Sequence, residues 1–419
     1  MASFENYAQY DKYIDQLRGY LKKLIEQGGS DLHLKTGSVP AMRKQGEIIR
    51  LDAPPLTREE MMGLARGLLR GRFDEFVQNK EIDLTFRLSD EYRFRVNIFF
   101  QKDGVSAVLR IIPVKILTLE QLGLPPAVEK FVDIERGLVL VTGVTGSGKS
   151  TTLAAIIDAI NSRHRKHIIT IEDPIEFIHP DKQCLVNQRT IGEDTRSFAN
   201  ALRAALREDP DVILIGEMRD LETVEIALHA AETGHLVLST LHTMDAKETI
   251  NRIIGMFTVE EQNRIRLALA SVIQGIISQR LIKTIDGKRT AAVEILMKTP
   301  HIVELIRTNR DHEIRDALEE GRQIYGTQTF DQSLLDHFFA GRISREEALR
   351  NATSPDDLAL KMKGIGGASS TQESLRGQGG SRPIPGLKPI EEGDHTSANL
   401  VDPNGDISSD GIIPLQLKF

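Results

Sequence analysis

The chain has 419 residues, 27% of them charged and 40% hydrophobic, with a formal net charge of −7. That length and apolar content suit two or three globular domains, and the acidic balance, with no long Lys/Arg run, argues against a dedicated nucleic-acid binder. The single cysteine, Cys184, excludes an intrachain disulfide and a multi-cysteine zinc site.

Cys184 reads as a small core residue in a strand. No stretch approaches the roughly 20 apolar residues of a membrane span. The N-terminus lacks a basic segment followed by an apolar one. The chain is therefore expected in the cytoplasm, with any membrane contact made through a partner.

In chain order, Ile14, Leu17, Leu21, Leu24 and Ile25 fall at helical spacing within Asp11–Glu26, and Gly28-Gly29 ends that helix. Short strands follow around Leu32–Leu34 and Ile48–Leu51. Thr57 suits the N-cap of a helix reaching Leu69, with Glu60 at the capping-box position. Ile82–Leu88, Arg93–Phe100 and Val105–Ile112 read as three more strands. The first block is thus an α+β domain with an antiparallel sheet, over residues 1–113, followed by a linker at 114–118.

The grammar then changes. Apolar strands at Gly137–Thr142, His167–Glu172, Val212–Gly216 and Leu236–Leu241 alternate with helices at Thr151–Ile160, Phe198–Arg207 and Leu221–Thr233. Buried strands alternating with helices indicate an α/β domain with a parallel sheet. From about Asn263 the chain is expected to turn helical, interrupted by a strand at Ala291–Met297 and closing with a helical pair, Phe330–Ala340 and Ser344–Asn351. This second domain covers 119–363. The remainder, 364–419, is rich in Gly, Ser and Pro and reads as a disordered tail. Its apolar end, Ile412–Phe419, either trails freely or docks on another protein or subunit.

The chemistry begins at Gly143, Val144, Thr145, Gly146, Ser147, Gly148, Lys149 and Ser150, which satisfy G-x-x-x-x-G-K-[ST] between a strand and a helix. Backbone N–H groups of such a loop curl round phosphates, and the helix beginning near Thr151 adds its positive end. Lys149 is expected at the β- and γ-phosphates and Ser150 on Mg²⁺, making ATP and Mg²⁺ the expected ligands. The strand Val212–Ile215, read as the neighbour of the loop's own strand, ends at the edge where ligands bind in open α/β sheets. Just beyond it, Glu217 is placed to polarise the attacking water as general base. Glu172, Asp173 and Glu176 cluster round Pro174 at the same edge, suited to hold Mg²⁺ through water and to align the nucleophile. His242, at the end of Leu236–Leu241, is placed to bond the γ-phosphate; His235 lies at the opposite end. In the first domain Arg93, Arg95 and Asn97 share one strand face and Phe94, Val96 and Ile98 the other. With Arg110 on the next strand, these arginines suit a charge supplied from a neighbouring domain or subunit.

Taken together, the Gly29–Leu34 string, the phosphate loop, Ile171–Phe177, Leu206–Asp220 and Thr233–His242 resemble the secretion ATPase superfamily, and within it the PilT/PilU family of type IV pilus retraction motors. The resemblance runs from about Asp11 to Met362. It implies an N-terminal PAS-like domain and a C-terminal RecA-like domain, a six-membered ring with ATP between the two domains, and an inner-membrane platform protein as partner. It implies that Glu217 is the catalytic base, that Glu176 is the acid of the second acidic motif, and that Arg93, Arg95 and Arg110 complete the site. Two departures stand out. Lys102-Asp103-Gly104 replaces an Arg-Gly usual in PilT-type chains, and Pro300–Arg307 replaces the A-I-R-N-L-I-R-E motif. The strings Thr327–Gln332 and Ala348–Ala352 look more like PilU, the accessory retraction ATPase, so a second retraction ATPase is a possible partner.

Three alternatives differ in what they require. An extension or secretion ATPase of the superfamily usually carries a four-cysteine zinc site, which one cysteine cannot supply. A DNA-translocating motor would need a basic channel and salt-sensitive binding. A ring subunit that binds nucleotide without hydrolysing it conflicts with intact Lys149, Ser150 and Glu217.

Overall fold

The computed structural model describes residues 7–44, 46–89, 92–112 and 116–364, which divide into two units. The described part of the first runs to Ile112 and also takes in Glu176–Ile178. Apart from Gly364, the tail expected over 364–419, with its apolar end, lies outside the described residues, as does part of the 114–118 linker.

The first unit contains α1 (Asp11–Glu26), β1 (Asp31–Lys35), β2 (Ala41–Lys44), β3 (Glu47–Arg50), α2 (Arg58–Leu69), α3 (Phe73–Asn79), β4 (Glu81–Arg87), β5 (Arg93–Gln101) and β6 (Gly104–Ile112). Its strands form one antiparallel sheet in the order β3-β2-β1-β6-β5-β4. The helical spacing read in α1 buries Leu17, Leu21 and Leu24 against the sheet's apolar face, where Phe94, Val96 and Ile98 meet them. Thr57 accepts from Glu60 N while Glu60 accepts from Thr57 N, so the capping box is formed, a device that stabilises a helix by about 1 kcal/mol. Two elements, β2 and α3, were not anticipated. The Lys102-Asp103 departure falls on the exposed turn between β5 and β6.

The second unit contains β7 (Gly137–Thr142), α4 (Lys149–Arg163), β8 (His167–Glu172), β9 (Leu185–Thr190), α5 (Phe198–Ala205), β10 (Val212–Ile215), α6 (Leu221–Glu232), β11 (Leu236–Leu241), α7 (Ala246–Ile254), α8 (Val259–Val272), β12 (Ile273–Lys283) and β13 (Arg289–Met297). Then come α9 (Pro300–Arg307), α10 (Ile314–Glu320), α11 (Arg322–Tyr325), α12 (Phe330–Phe339), α13 (Arg345–Asn351) and α14 (Pro355–Met362). The sheet runs β13-β12-β7-β11-β10-β8-β9, all parallel except β13. Alternate residues of β7 serve two cores. Leu138 and Leu140 pack with α5, α6 and α8, whereas Val139 and Val141 pack with Leu153, Ile156 and Ile157 of α4. Helices therefore cover both faces, as parallel sheets require. A smaller cluster joins Phe330, Leu334, Ile343, Ala348 and Leu358 to Ile282.

Three expectations are corrected here. The helical run expected from Asn263 to Ala291 is broken by β12, a central strand. Ile273, Ile276 and Ile277 are spaced as on a helix face, but both faces of β12 are buried, so no alternation advertises a strand. Its Gly275 lies so close to Phe131 that a Cβ would come within 2.1 Å of the ring. Secondly, β10 is not the neighbour of β7; β11 lies between them. Thirdly, Cys184 is buried as expected but precedes β9 rather than lying in a strand.

Candidate nucleotide-hydrolysis site

The sheet order decides what meets at its carboxyl edge. β7 ends in the phosphate loop, β11 ends one residue before His242, β10 ends two before Glu217, and β8 ends at Glu172. Because β11 separates β7 from β10, His242 stands between the loop and Glu217 along this edge.

The loop is built for close approach to a ligand. Gly143, at φ +140, has no room for a side chain: a Cβ would lie 2.4 Å from Gln279 O and 2.5 Å from Ser147 Oγ. Gly146 and Gly148 also adopt left-handed conformations, which glycine takes without steric cost. Gly148 caps α4, which begins at Lys149, two residues earlier than the sequence suggested. Lys149 is buried, and its Nζ donates to Gly143 O at 2.9 Å and Val144 O at 3.2 Å. Ser150 and Thr151 follow, half-buried, in the first turn, while Val144 and Thr145 are exposed. Ser147 Oγ and Gln279 Oε1 are buried with no hydrogen-bond partner among the described residues. A glycine cradle, a buried ammonium and an orphaned hydroxyl at a helix N-terminus fit a bound phosphate chain.

Glu217 is gripped from two sides. Arg219 Nη2 lies 2.8 Å from its Oε2 and His242 Nε2 lies 3.3 Å from its Oε1. Burial raises the carboxyl's pKa, but the hydrogen bond and charge of Arg219 and the contact with His242 outweigh this and hold it below the ordinary value. Glu217 is therefore kept ionised, as a general base requires. The backbone leading to it is fixed too, since Thr240 Oγ1 donates to Gly216 O at 2.7 Å and Met218 N to Thr240 O at 3.2 Å. Glu172 is engaged nearby, its Oε1 accepting from Thr170 Oγ1 at 2.6 Å and from Gln188 Nε2 at 3.3 Å. Asp173 is close enough to Arg219 to strengthen that residue's positive charge.

The structure does not gather every anticipated residue in one unit. Glu176 groups with the first unit, where Arg93, Arg95 and Arg110 also lie. His235 bonds Ala230 O at 2.9 Å, at the opposite end of β11 from His242. No group of three His, Cys, Asp or Glu side chains converges on a metal position among the described residues.

The sequence profile described as "Type II/IV secretion system protein" matches residues 75–350. The chain belongs to that family. Among its relatives, the type IV pilus retraction ATPase PilT of Pseudomonas aeruginosa is 48% identical over 79% of this chain and 96% of its own. The type IV pilus ATPase PilU of the same organism is 41% identical over 82% and 90%. A crystal structure of the pilus retraction motor PilT with bound ADP superposes with a TM-score of 0.77 at 46% identity, over 82% of this chain and 98% of that one. The lean towards PilU concerned only the C-terminal strings and is compatible with these figures. The α/β architecture expected from the resemblance is the one found.

In this family member, two residues of the candidate site, one beside the loop and one beside Glu217, escaped the sequence reading. Gln279 of β12 donates to Thr152 Oγ1 at 2.8 Å, and its carbonyl lies against Gly143. Finding it required knowing that β12 borders β7. Arg219 was visible two residues after Glu217, but only the turn after β10 shows that it folds back onto that carboxylate.

Proposed function

We propose that this secretion-family chain is an ATP-hydrolysing motor subunit that powers type IV pilus retraction. The observation that carries the proposal is the pairing of Lys149 in a complete phosphate loop with an ionised, two-sidedly held Glu217 on one sheet edge. The kinship with PilT and PilU supplies the direction of work.

The roles follow from the chemistry. The backbone of Gly143–Ser150 and the start of α4 bind the phosphates, with Lys149 turning from the loop carbonyls to the β- and γ-phosphates. The Ser150 hydroxyl, with Glu172 and Asp173, would hold Mg²⁺, which when bound would supply neutralisation of the phosphate charge. Glu217 accepts a proton from the attacking water. His242, between the loop and Glu217 and 3.3 Å from that base, would bond the γ-phosphate. Arg93, Arg95, Arg110 and Glu176 complete the site between subunits of a ring, a hexamer. The ring is taken to act at the cytoplasmic face of the inner membrane through a platform protein, with a second retraction ATPase as a possible companion and no nucleic acid. Among the described residues no helix is long and apolar enough to cross a membrane.

The test is ATP turnover and oligomeric state of the purified chain beside Glu217→Ala, with twitching motility of cells carrying each form. Turnover in a ring and motility, both lost in the variant, are expected. An assembled, nucleotide-bound ring without turnover would replace the motor by a structural subunit.

A further inference from the structure

The string Gly29–Leu34 contributes to the family resemblance, yet the hydrolysis chemistry above uses none of it. Within the first unit, its product is Asp31. Gly29 makes the turn after α1 so tightly that a Cβ would lie 2.4 Å from Leu24 Cδ1. Asp31 then enters β1 directly opposite Arg110 of β6. The two side chains differ sharply in exposure: 5% for Asp31 and 71% for Arg110. Ser30 Oγ donates to Asp31 Oδ2 at 2.8 Å, and Arg110 Nε donates to Asp31 Oδ1 at 2.7 Å. Each carboxylate oxygen thus has a partner, and the one inside the protein steadies the group that holds the arginine.

The bond is made through Nε. A guanidinium is a rigid planar fork of five N–H groups, so gripping it at Nε fixes its plane and leaves the terminal nitrogens for a bidentate acceptor such as a phosphate. On its other side Arg110 faces Arg95 across β5 and β6. Like charges placed opposite each other destabilise a sheet, and among the described residues the ion pair of Arg95 is a long one, 3.8 Å to Asp83. Two arginines abreast are not an arrangement that sheet stability favours. Asp31 offsets the repulsion and at the same time sets the direction of one of them.

We propose that Asp31 is a positioning residue, holding Arg110 by Nε so that its terminal nitrogens meet the anionic phosphate of bound nucleotide. The proposal rests on the reading that Arg110 completes the hydrolysis site. It assigns no contact with the reacting atoms to Asp31 itself.

The experiment is a double-mutant cycle on the full-length chain, with kcat and KM for ATP hydrolysis and the unfolding temperature measured for wild type, Asp31→Asn, Arg110→Ala and the double variant. Misdirecting a catalytic group by about an ångström lowers turnover on the order of ten- to a hundredfold. That loss is expected in kcat for Asp31→Asn, with KM little changed, and the double variant should be no slower than Arg110→Ala alone. Additive losses would overturn the proposal, because Asp31 would then act independently of Arg110. Wild-type kcat in Asp31→Asn beside a crippled Arg110→Ala would overturn it while sparing the role of Arg110. A fully active Arg110→Ala would remove both. If Asp31→Asn does not fold, Ser30→Ala loosens the carboxylate with both charges in place. A kcat loss in Ser30→Ala that disappears in the Arg110→Ala background is then expected, and wild-type kcat in Ser30→Ala would count against the proposal.

Discussion

Glu294 lies on β13 opposite Ser278 of β12, and it is buried. Its Oε1 accepts from Ala246 N, the first residue of α7, at 2.8 Å. Burial pushes the carboxyl up from 4.5 to about 7, against the opposing pull of that hydrogen bond. Between those two values the folded protein binds a proton that the unfolded chain has released. Stability must therefore fall as pH rises through that window and level off above it. Glu294→Gln preserves the shape and an acceptor for Ala246 but cannot ionise. Linkage with the two values gives a charge penalty in the wild type of about 1 kcal/mol near pH 5 and about 3 kcal/mol near pH 8. Relative to wild type, the variant should thus gain about 2–3 kcal/mol over that range. For a unit of this size the gain is roughly 5–10 °C in relative melting temperature. The assay is thermal unfolding of both nucleotide-free proteins across the pH series. Parallel pH dependences would refute the reasoning, because they would mean that Glu294 is already ionised when folded or is hydrated.

Three further outcomes follow from geometry already described. Gly143→Ala should weaken ATP binding on the order of tenfold or more, since the methyl group meets Gln279 O at 2.4 Å in a left-handed backbone; calorimetric titration showing unaltered affinity would contradict this. Arg219→Ala removes the hydrogen bond that lowers the Glu217 pKa, so that pKa should rise. Because the base works deprotonated, the acid limb of the kcat/KM profile should move to higher pH, and a limb that stays in place would count against Glu217 as the titrating group. Gly275→Ala should destabilise the second unit by about 1–3 kcal/mol through overpacking on Phe131, read from its denaturant midpoint, whereas an unshifted midpoint would show that the ring gives way freely.

The features legible in the sequence were those whose physics is local. Helix α1 carries its own periodicity, α2 carries its own cap, and the phosphate loop is defined by spacing between a strand and a helix. The alternating face of β5 was also readable, because one side of that strand is core and the other is polar. Features fixed by distant partners were not. Strand β12 is buried on both faces and so lacks the alternation of a half-exposed strand. Strand β9 is an edge strand with a mostly polar sequence. The insertion of β11 between β7 and β10 depends on crossover connections, which leave no mark in either strand's composition. The Glu217–Arg219 contact depends on a turn, and the roles of Gln279 and Asp31 depend on strand neighbours far away in the chain.

The wall of the phosphate loop has a consequence for synthesis. Gln279, which bonds Thr152 in the first turn and a half of α4, lies 127 residues downstream of it. A nascent chain that has emerged only as far as Leu241 already carries the phosphate loop, both acidic motifs and the strand leading to His242. It still lacks β12, so the flank of β7 is an open strand edge and Gly143 is without the Gln279 carbonyl that lies against it in the folded chain. Competence to bind nucleotide should thus arrive late and abruptly during translation, when the segment around Ile273–Lys283 leaves the ribosome. Until then that bare edge is open to mispairing.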